Sequence, residues 1–512
     1  MAPQVQRRTG RRVQKGGDGH ASTEVSPQVF AGGDFRPLSG DDLARIADKS
    51  LEILERVGMA DAPEWLAERL EKQGARIRAD GRVLFDRGHV EDALGRAQRR
   101  VDLPGFRDDR GIRVGDGRVH FGTGGAAVQV LESDGATFRE ARLADLYDMM
   151  RVVDACPNIH YGVRPSVARD MATPFELDVN TAYACARATT KPIGVSFDNA
   201  GHVAPAVELL DIALGDEIGF RERPFCKAII VHVVPPLRYA PEGVEIMRAA
   251  VAAGMPLQIC SAGQAGATSP AALAGALAQG LAECLAGLMV VDALSPGYPC
   301  VFALMPFISD LRTGAMSGGS GESAVAGAAA AQLLRHVGLP STVSAGMTDS
   351  KVADAQAGYE KGHTVALAAH AGADMIDLSV GMLGSIMVAS PEALVIDDEM
   401  CGAIARSVRG IEVADHLIDL AVIERVVTGE GHYLGEAQTL DLMKTEYVYP
   451  ALGDRQSVDD WIESGGLSIW DRARERVSGI LAAEPPDHVS PAADREIRAR
   501  FPIHLHDQEN GS

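Results

Sequence analysis

The chain has 512 residues, 46% hydrophobic and 23% charged, a globular balance with enough apolar material for one large core and a smaller appendage. Its formal net charge of -21 argues against a nucleic-acid binder, because phosphate recognition needs a basic face. Its seven cysteines are odd in number and scattered, with no C-x-x-C pair, which argues against a disulfide framework or compact zinc finger and for a reducing, cytoplasmic setting.

Residues 1–35 carry Arg7, Arg8, Arg11, Arg12 and Lys15 among glycines and polar residues. A twin-arginine export signal would need an apolar segment next, and none follows, so a flexible basic arm is expected, either solvated or docked on a partner subunit. In residues 36–117 the stretches DDLARIADKSLEILERVGM and APEWLAERLEKQGARI space their apolar residues as helices do. This entry region ends on IRVGDGRVHFG, read as a hairpin turning at Gly115-Asp116-Gly117.

Residues 118–395 repeat one unit, a helix followed by a short β-rich strand. Helices near 143–155, 176–189, 204–214 and 242–253 lead to IHYGVRP, KPIGVSFDN, CKAIIVHVVPP and PLQICSAGQ. Those near 270–294, 322–337 and 353–371 lead to PCVFALMPF, STVSAGMTD and DMIDLSVGM, and GRVHFGTG or GAAVQVLE supplies an eighth strand. Such alternation over roughly 250 residues predicts an α/β fold, a (β/α)8 TIM barrel. GTGGAA at 122–127 lacks the G-x-G-x-x-G spacing of a dinucleotide site and reads as a tight turn at the barrel rim. The apolar stretch 271–291 is interrupted by Gln279 and Glu283, so it reads as a buried helix and no membrane span is expected. Residues 396–481 read as a helical cap and 482–512 as a tail.

Barrel active sites lie at the C-terminal strand ends, which makes the residues there the first candidates. They include Arg164, Phe197, Asp198, Asn199, His232, Ser261, Gln264, Phe307, Asp310, Thr348, Asp349, Lys351 and Leu383. Thr268-Ser269-Pro270 opens a helix whose free N–H groups suit an anion such as a carboxylate or phosphate, although an ordinary cap needs no ligand. Arg312 offers a bidentate contact to such a carboxylate, or a structural ion pair. After the seventh strand Asp349, Lys351, Asp354, Gln356, Glu360 and His363 crowd one loop and the start of a helix, either around a site or as a solvated face. Cation binding would use aromatic faces and carboxylates, with Tyr161, Phe197, Phe307, Asp198, Asp349 and Glu360 as candidates. His232, Cys260 and Cys300 lack a short zinc-ligand spacing and sit among apolar strand residues, so no metal site is expected.

The segments GATSPAALAGALAQGLAECLAG, SPGYPCVFA, TDSKVADAQAGYEK, AGADMID, EALVIDDEMCGAIAR and GHYLGEAQTLDLMKTEYVYPALGDR occur in this order between about residues 35 and 481. In order and spacing they resemble the trimethylamine methyltransferase family. The resemblance implies a barrel that moves a methyl group from a small methylated amine to the cob(I)alamin of a partner corrinoid protein, with no cofactor held tightly by the chain itself. Some members carry pyrrolysine after the seventh strand, whereas here TDSKVAD holds ordinary residues with Lys351 at or near that place. That departure points to a quaternary amine, with glycine betaine as the leading example. Gln438 stands where the family commonly has His before Thr439.

On this reading Asp349, Lys351, Gln356 and Glu360 are the catalytic candidates. Tyr161, Phe197, Asp198, His232, Gln264, Phe307, Arg312 and His363 are the substrate-binding ones. A quaternary ammonium leaves as a neutral amine without a proton, so orientation and exclusion of water would carry the chemistry. Two alternatives remain: a barrel lyase of the aldolase type with a Schiff base on Lys351, and a catalytically silent betaine-binding subunit. Gly- and Ala-rich helices such as 324–332 suggest close helix packing and a homo-oligomer.

Overall fold

The computed structural model describes residues 30–215 and 219–506; apart from 30–35, the expected basic arm lies outside them. The ring strands are β1 (His120–Phe121), β2 (Gly162–Val163), β3 (Ile193–Val195), β4 (Cys226–Val231), β5 (Leu257–Ser261), β6 (Cys300–Leu304), β7 (Ser341–Ser344) and β8 (Met375–Asp377). All pair in parallel, each beside its neighbour in sequence, with β8 returning to β1. The ring closes between β1 and β2, where Gly122 bridges Tyr161 and His160 N donates to Phe121 O at 2.8 Å. The expected (β/α)8 barrel is therefore present, with GRVHFGTG as its first strand.

Parallel strands need crossovers, and seven helices supply them: α1 (Leu143–Ala155), α2 (Pro174–Ala188), α3 (Val203–Leu214), α4 (Pro241–Ala253), α5 (Leu273–Leu294), α6 (Gly321–His336) and α7 (Ala355–His370); α8 (Pro391–Arg409) follows the last strand. Capping side chains start several of them: Thr173 and Ser390 cap helices with Pro at the first turn, and Ser320 and Asp354 accept N–H bonds at α6 and α7. Lys191, buried just before β3, donates to the carbonyls of Val153, Cys156 and Ile159, each at 2.6 Å, and so satisfies the end of α1. Between α7 and α8, Lys361 and Asp397 form a buried ion pair at 2.6 Å, and Gly381 N also donates to Asp397.

Helix α5 is long and apolar enough to cross a membrane by length and composition, with a mean hydropathy of 1.6 over its most apolar window. It is buried nearly all round because the entry helices Gly40–Arg56, Glu64–Lys72 and Arg87–Arg96 lie over its outer face.

Three details differ from the sequence reading. Ile112–Val114 pairs not across Gly115-Asp116-Gly117 but back onto Val101–Leu103, because His120–Phe121 is drawn into the ring. Gln129–Leu131 joins a small separate sheet with Phe138–Glu140, Met382–Leu383 and Val388–Ala389. The tail contains a helix, Pro491–Arg500, packed against α3. Beyond α8 the chain forms an arm of three short helices, Leu420–Thr428, Ala437–Leu442 and Val458–Glu463, then returns as Ile469–Ala482 against α8 and α1.

Candidate active site

A cavity of about 510 Å³ opens at the C-terminal end of the ring. Its wall takes Gly124 and Gly125 after β1, Arg164 after β2, Phe197 and Asp198 after β3 and Phe307 after β6. Cys260, Met305 and Ile386 add apolar surface, and burial pushes the Cys260 thiol up to about 12, so it stays protonated. Gly125 has φ +103°, and a Cβ there would meet Met382 Sδ at 2.5 Å, which explains the glycine-rich stretch better than a ligand motif does.

The floor is a buried polar network. Asp377 ends β8, accepting from Tyr161 Oη at 2.7 Å through one oxygen and from Gln258 Nε2 at 2.6 Å through the other. Lys227 Nζ donates to Gln258 Oε1 at 2.6 Å and lies 4.7 Å from the centre of the Tyr161 ring. Burial lowers the Lys227 ammonium to about 8, against the pull of Asp377, and raises the Tyr161 phenol well above its ordinary value. Gln258 and Asp377 face the cavity.

Arg164 is the cation of the wall. Burial lowers its pKa from the ordinary arginine value, opposed mainly by the charge of Asp178, yet among the described residues its guanidinium has no hydrogen bond or ion pair. Asp178 is itself engaged by Asp198 N at 2.8 Å and His202 Nδ1 at 2.7 Å. A partly buried guanidinium with vacant donors beside an apolar wall suits a carboxylate ligand.

The cluster after β7 has a different geometry. Asp349 accepts from Ser317 Oγ at 3.0 Å, Gly318 N at 2.8 Å and Ser385 Oγ at 2.7 Å. Glu360 accepts from Thr348 Oγ1 at 2.5 Å, Asp349 N at 2.8 Å and Gln356 Nε2 at 2.9 Å. Gly319 lies against Glu360, where a Cβ would come within 2.4 Å of the carboxyl carbon. These carboxylates tie the loops after β6, β7 and β8 together at the rim, and none of Asp349, Lys351, Gln356 and Glu360 forms part of the cavity wall. Asp349 approaches it through Ser385, the neighbour of Ile386. Lys351 is exposed, its Nζ donating to Asp349 O at 2.6 Å.

The expected substrate residues divide in the same way. Phe197, Asp198 and Phe307 line the cavity, and Tyr161 lies beneath it as a partner of Asp377. His232 points outward, its Nε2 meeting Glu283 O at 2.9 Å, and burial lowers its pKa to about 4. Gln264 pairs through its backbone with Phe307 and caps the Thr268–Ser269 turn through its carbonyl. Arg312 is exposed and paired with Asp310 at 2.7 Å. His363 contacts the Tyr359 carbonyl of its own helix at 2.6 Å. Lys227, Gln258 and Asp377 were not singled out from sequence; charged and amide side chains inside the otherwise apolar strands CKAIIV and LQICS were the available signal.

Among the described residues no group of three or more His, Cys, Asp or Glu side chains is arranged to hold a metal ion. A larger groove of about 1030 Å³ lies outside the barrel between Gly40–Arg56 and the start of α5, but it gathers no strand ends.

A closed parallel ring with a largely apolar cavity at its C-terminal mouth is the architecture of a barrel enzyme acting on a small molecule. The chain belongs to the trimethylamine methyltransferase (MTTB) family, matched over residues 6–503. It is 30% identical to the glycine betaine methyltransferase of Desulfitobacterium hafniense strain Y51 over 472 residues, covering 91% of this chain and 96% of that one. It is 28% identical to trimethylamine methyltransferase MttB of Desulfitobacterium hafniense strain DSM 10664 / DCB-2, covering 88% and 90%. The same fold occurs in the monomethylamine methyltransferase (MtmB) of Methanosarcina barkeri, at a TM-score of 0.50 and 13% identity over 87% of this chain and 89% of that one. The chain is thus an enzyme of the methylamine methyltransferase class.

Proposed function

We propose that the chain demethylates a quaternary amine bearing a carboxylate, of the glycine betaine kind, and passes the methyl group to the cob(I)alamin of a partner corrinoid protein. One observation carries the substrate reading: Arg164, whose guanidinium has no hydrogen bond or ion pair among the described residues, and Asp377 border the same cavity, an arrangement complementary to a zwitterion. The likeness to a glycine betaine methyltransferase supports it, as does Lys351 at or near the place where some members have pyrrolysine.

In the transfer the N–CH3 bond breaks and its electron pair stays on nitrogen, which leaves as a neutral tertiary amine. The partner's cobalt supplies the nucleophile for the methyl carbon. The residues of this chain bind, orient and desolvate: Arg164 holds the carboxylate, Asp377 offsets the ammonium, and Phe197, Phe307 and Met305 exclude water. Asp349 and Glu360 keep the rim loops in register. The Schiff-base alternative has no support in an exposed Lys351.

The test is a screen of methylated amines with purified protein and free cob(I)alamin, followed by the visible spectrum. Glycine betaine should be turned over and trimethylamine hardly at all; robust trimethylamine turnover overturns the substrate. Arg164→Gln should weaken glycine betaine binding about 10- to 100-fold, the worth of a charge-assisted pair of roughly 1.5–3 kcal/mol, and leave choline binding nearly unchanged. Equal losses for both ligands in calorimetric titration would remove Arg164 from carboxylate recognition.

A further inference from the structure

The arm between α8 and the helix Ile469–Ala482 exposes apolar side chains along its whole length. Ile411 is 86% exposed, Leu434 79%, Leu420 74%, Val427 68%, Tyr447 64% and Ile462 61%. Within residues 411–466 only Val422, Val426 and Leu452 are buried, so the three short helices have almost no core of their own. Helices of six and nine residues do not persist in water without packing. What fixes the arm is polar: Glu446 pairs with Arg406 at 2.9 Å and Arg409 at 2.8 Å, and Glu399 accepts from Ala451 N, Leu452 N and Gly453 N. These anchors hold it along the flank of α8, while its apolar side chains face outward.

We propose that this arm is the surface on which a second copy of the chain docks. Exposed Ile, Leu, Val, Met, Tyr and Trp side chains recur from Ile411 to Ile469. At roughly 100 Å² each they present on the order of 1,500 Å², well above the few hundred of an ordinary monomer patch and the roughly 800 Å² per partner of a standard interface. Size and composition select the occupant. A partner that must bind and leave uses a face about as polar as the rest of the surface, whereas a permanent homomeric contact resembles a core cut in half. Two copies each carrying a net charge of -21 repel, so the association is driven by apolar burial and survives high salt. No residue of the arm lines the cavity at the barrel mouth.

Sedimentation velocity of the full chain, from sub-micromolar to tens of micromolar, should show an assembled species whose mass does not fall as salt is raised. The double variant Leu434→Asp, Ile462→Asp should associate roughly 100-fold more weakly, with its circular dichroism and amine binding unchanged. Hydrogen exchange keeps the test decisive if that variant misfolds: in the native chain, amides of 420–428 and 458–463 should be protected when assembled and lose protection on dilution. A native chain that stays monomeric overturns the proposal. So does assembly with the arm unprotected, or arm protection that appears only when a corrinoid protein is added.

Discussion

Lys227 sits near the start of β4 with its ammonium buried under the cavity floor, and its pKa, lowered to about 8, lies within the range an assay reaches. Between that value and the ordinary lysine value the unfolded chain holds a proton that the folded chain has released, so this group adds stability as pH rises above about 8. The same titration changes the cavity. Below about 8 the positive charge offsets Asp377; above it, Asp377 faces a bound ammonium uncompensated. The affinity for choline should therefore rise about three- to tenfold from pH 7 to pH 9, a charge-charge effect of roughly 1 kcal/mol. Lys227→Met should flatten the profile, and a flat native profile in calorimetric titration would separate Lys227 from ligand binding. Residue types at strand ends made Phe197, Asp198 and Phe307 legible from sequence. Of the floor only Tyr161 was, because which residues of a two- to six-residue strand point inward depends on shear and tilt that the sequence does not display.

At the scale of elements, alternating helices and strands were readable because the ring strands are short, mostly buried and bounded by helices, several of them capped. The loop after β7 was recognisable as unusual, but its polar density proved to be consumed internally, with Asp349 and Glu360 each meeting three protein donors. A sequence shows the number of polar groups in such a loop and not where their partners are. The buried pair between α7 and α8 gives a measurable case. Lys361→Met strands Asp397 without its cation, and should cost about 3–5 kcal/mol in urea unfolding. Adding Asp397→Leu should recover most of that loss; a single variant as stable as the native protein would mean that the pair contributes nothing.

For the whole molecule, the acidic excess shapes encounter with ligand more than it shapes the fold. A net charge of -21 draws a cation inward at low ionic strength, and salt screens the attraction. Stopped-flow association of choline should slow several-fold when salt is raised from about 10 to 200 mM, while glycine betaine, which has no net charge, should change by less than about twofold. Equal sensitivity of the two would show that the overall field plays no part in capture. The exposed apolar arm was read from sequence only as a cap, since hydrophobic spacing marks a helix but not whether its apolar side faces its own core or another chain.

Gly122 joins β1 to β2, and a Cβ there would fall 2.2 Å from the ring of Tyr161, the residue whose hydroxyl steadies Asp377. The stitch that turns eight strands into a cylinder is thus the same stitch that seats the carboxylate beneath the cavity. Widening it by a single methyl group disturbs both at once, so at this junction the seat of Asp377 is tied to closure of the ring.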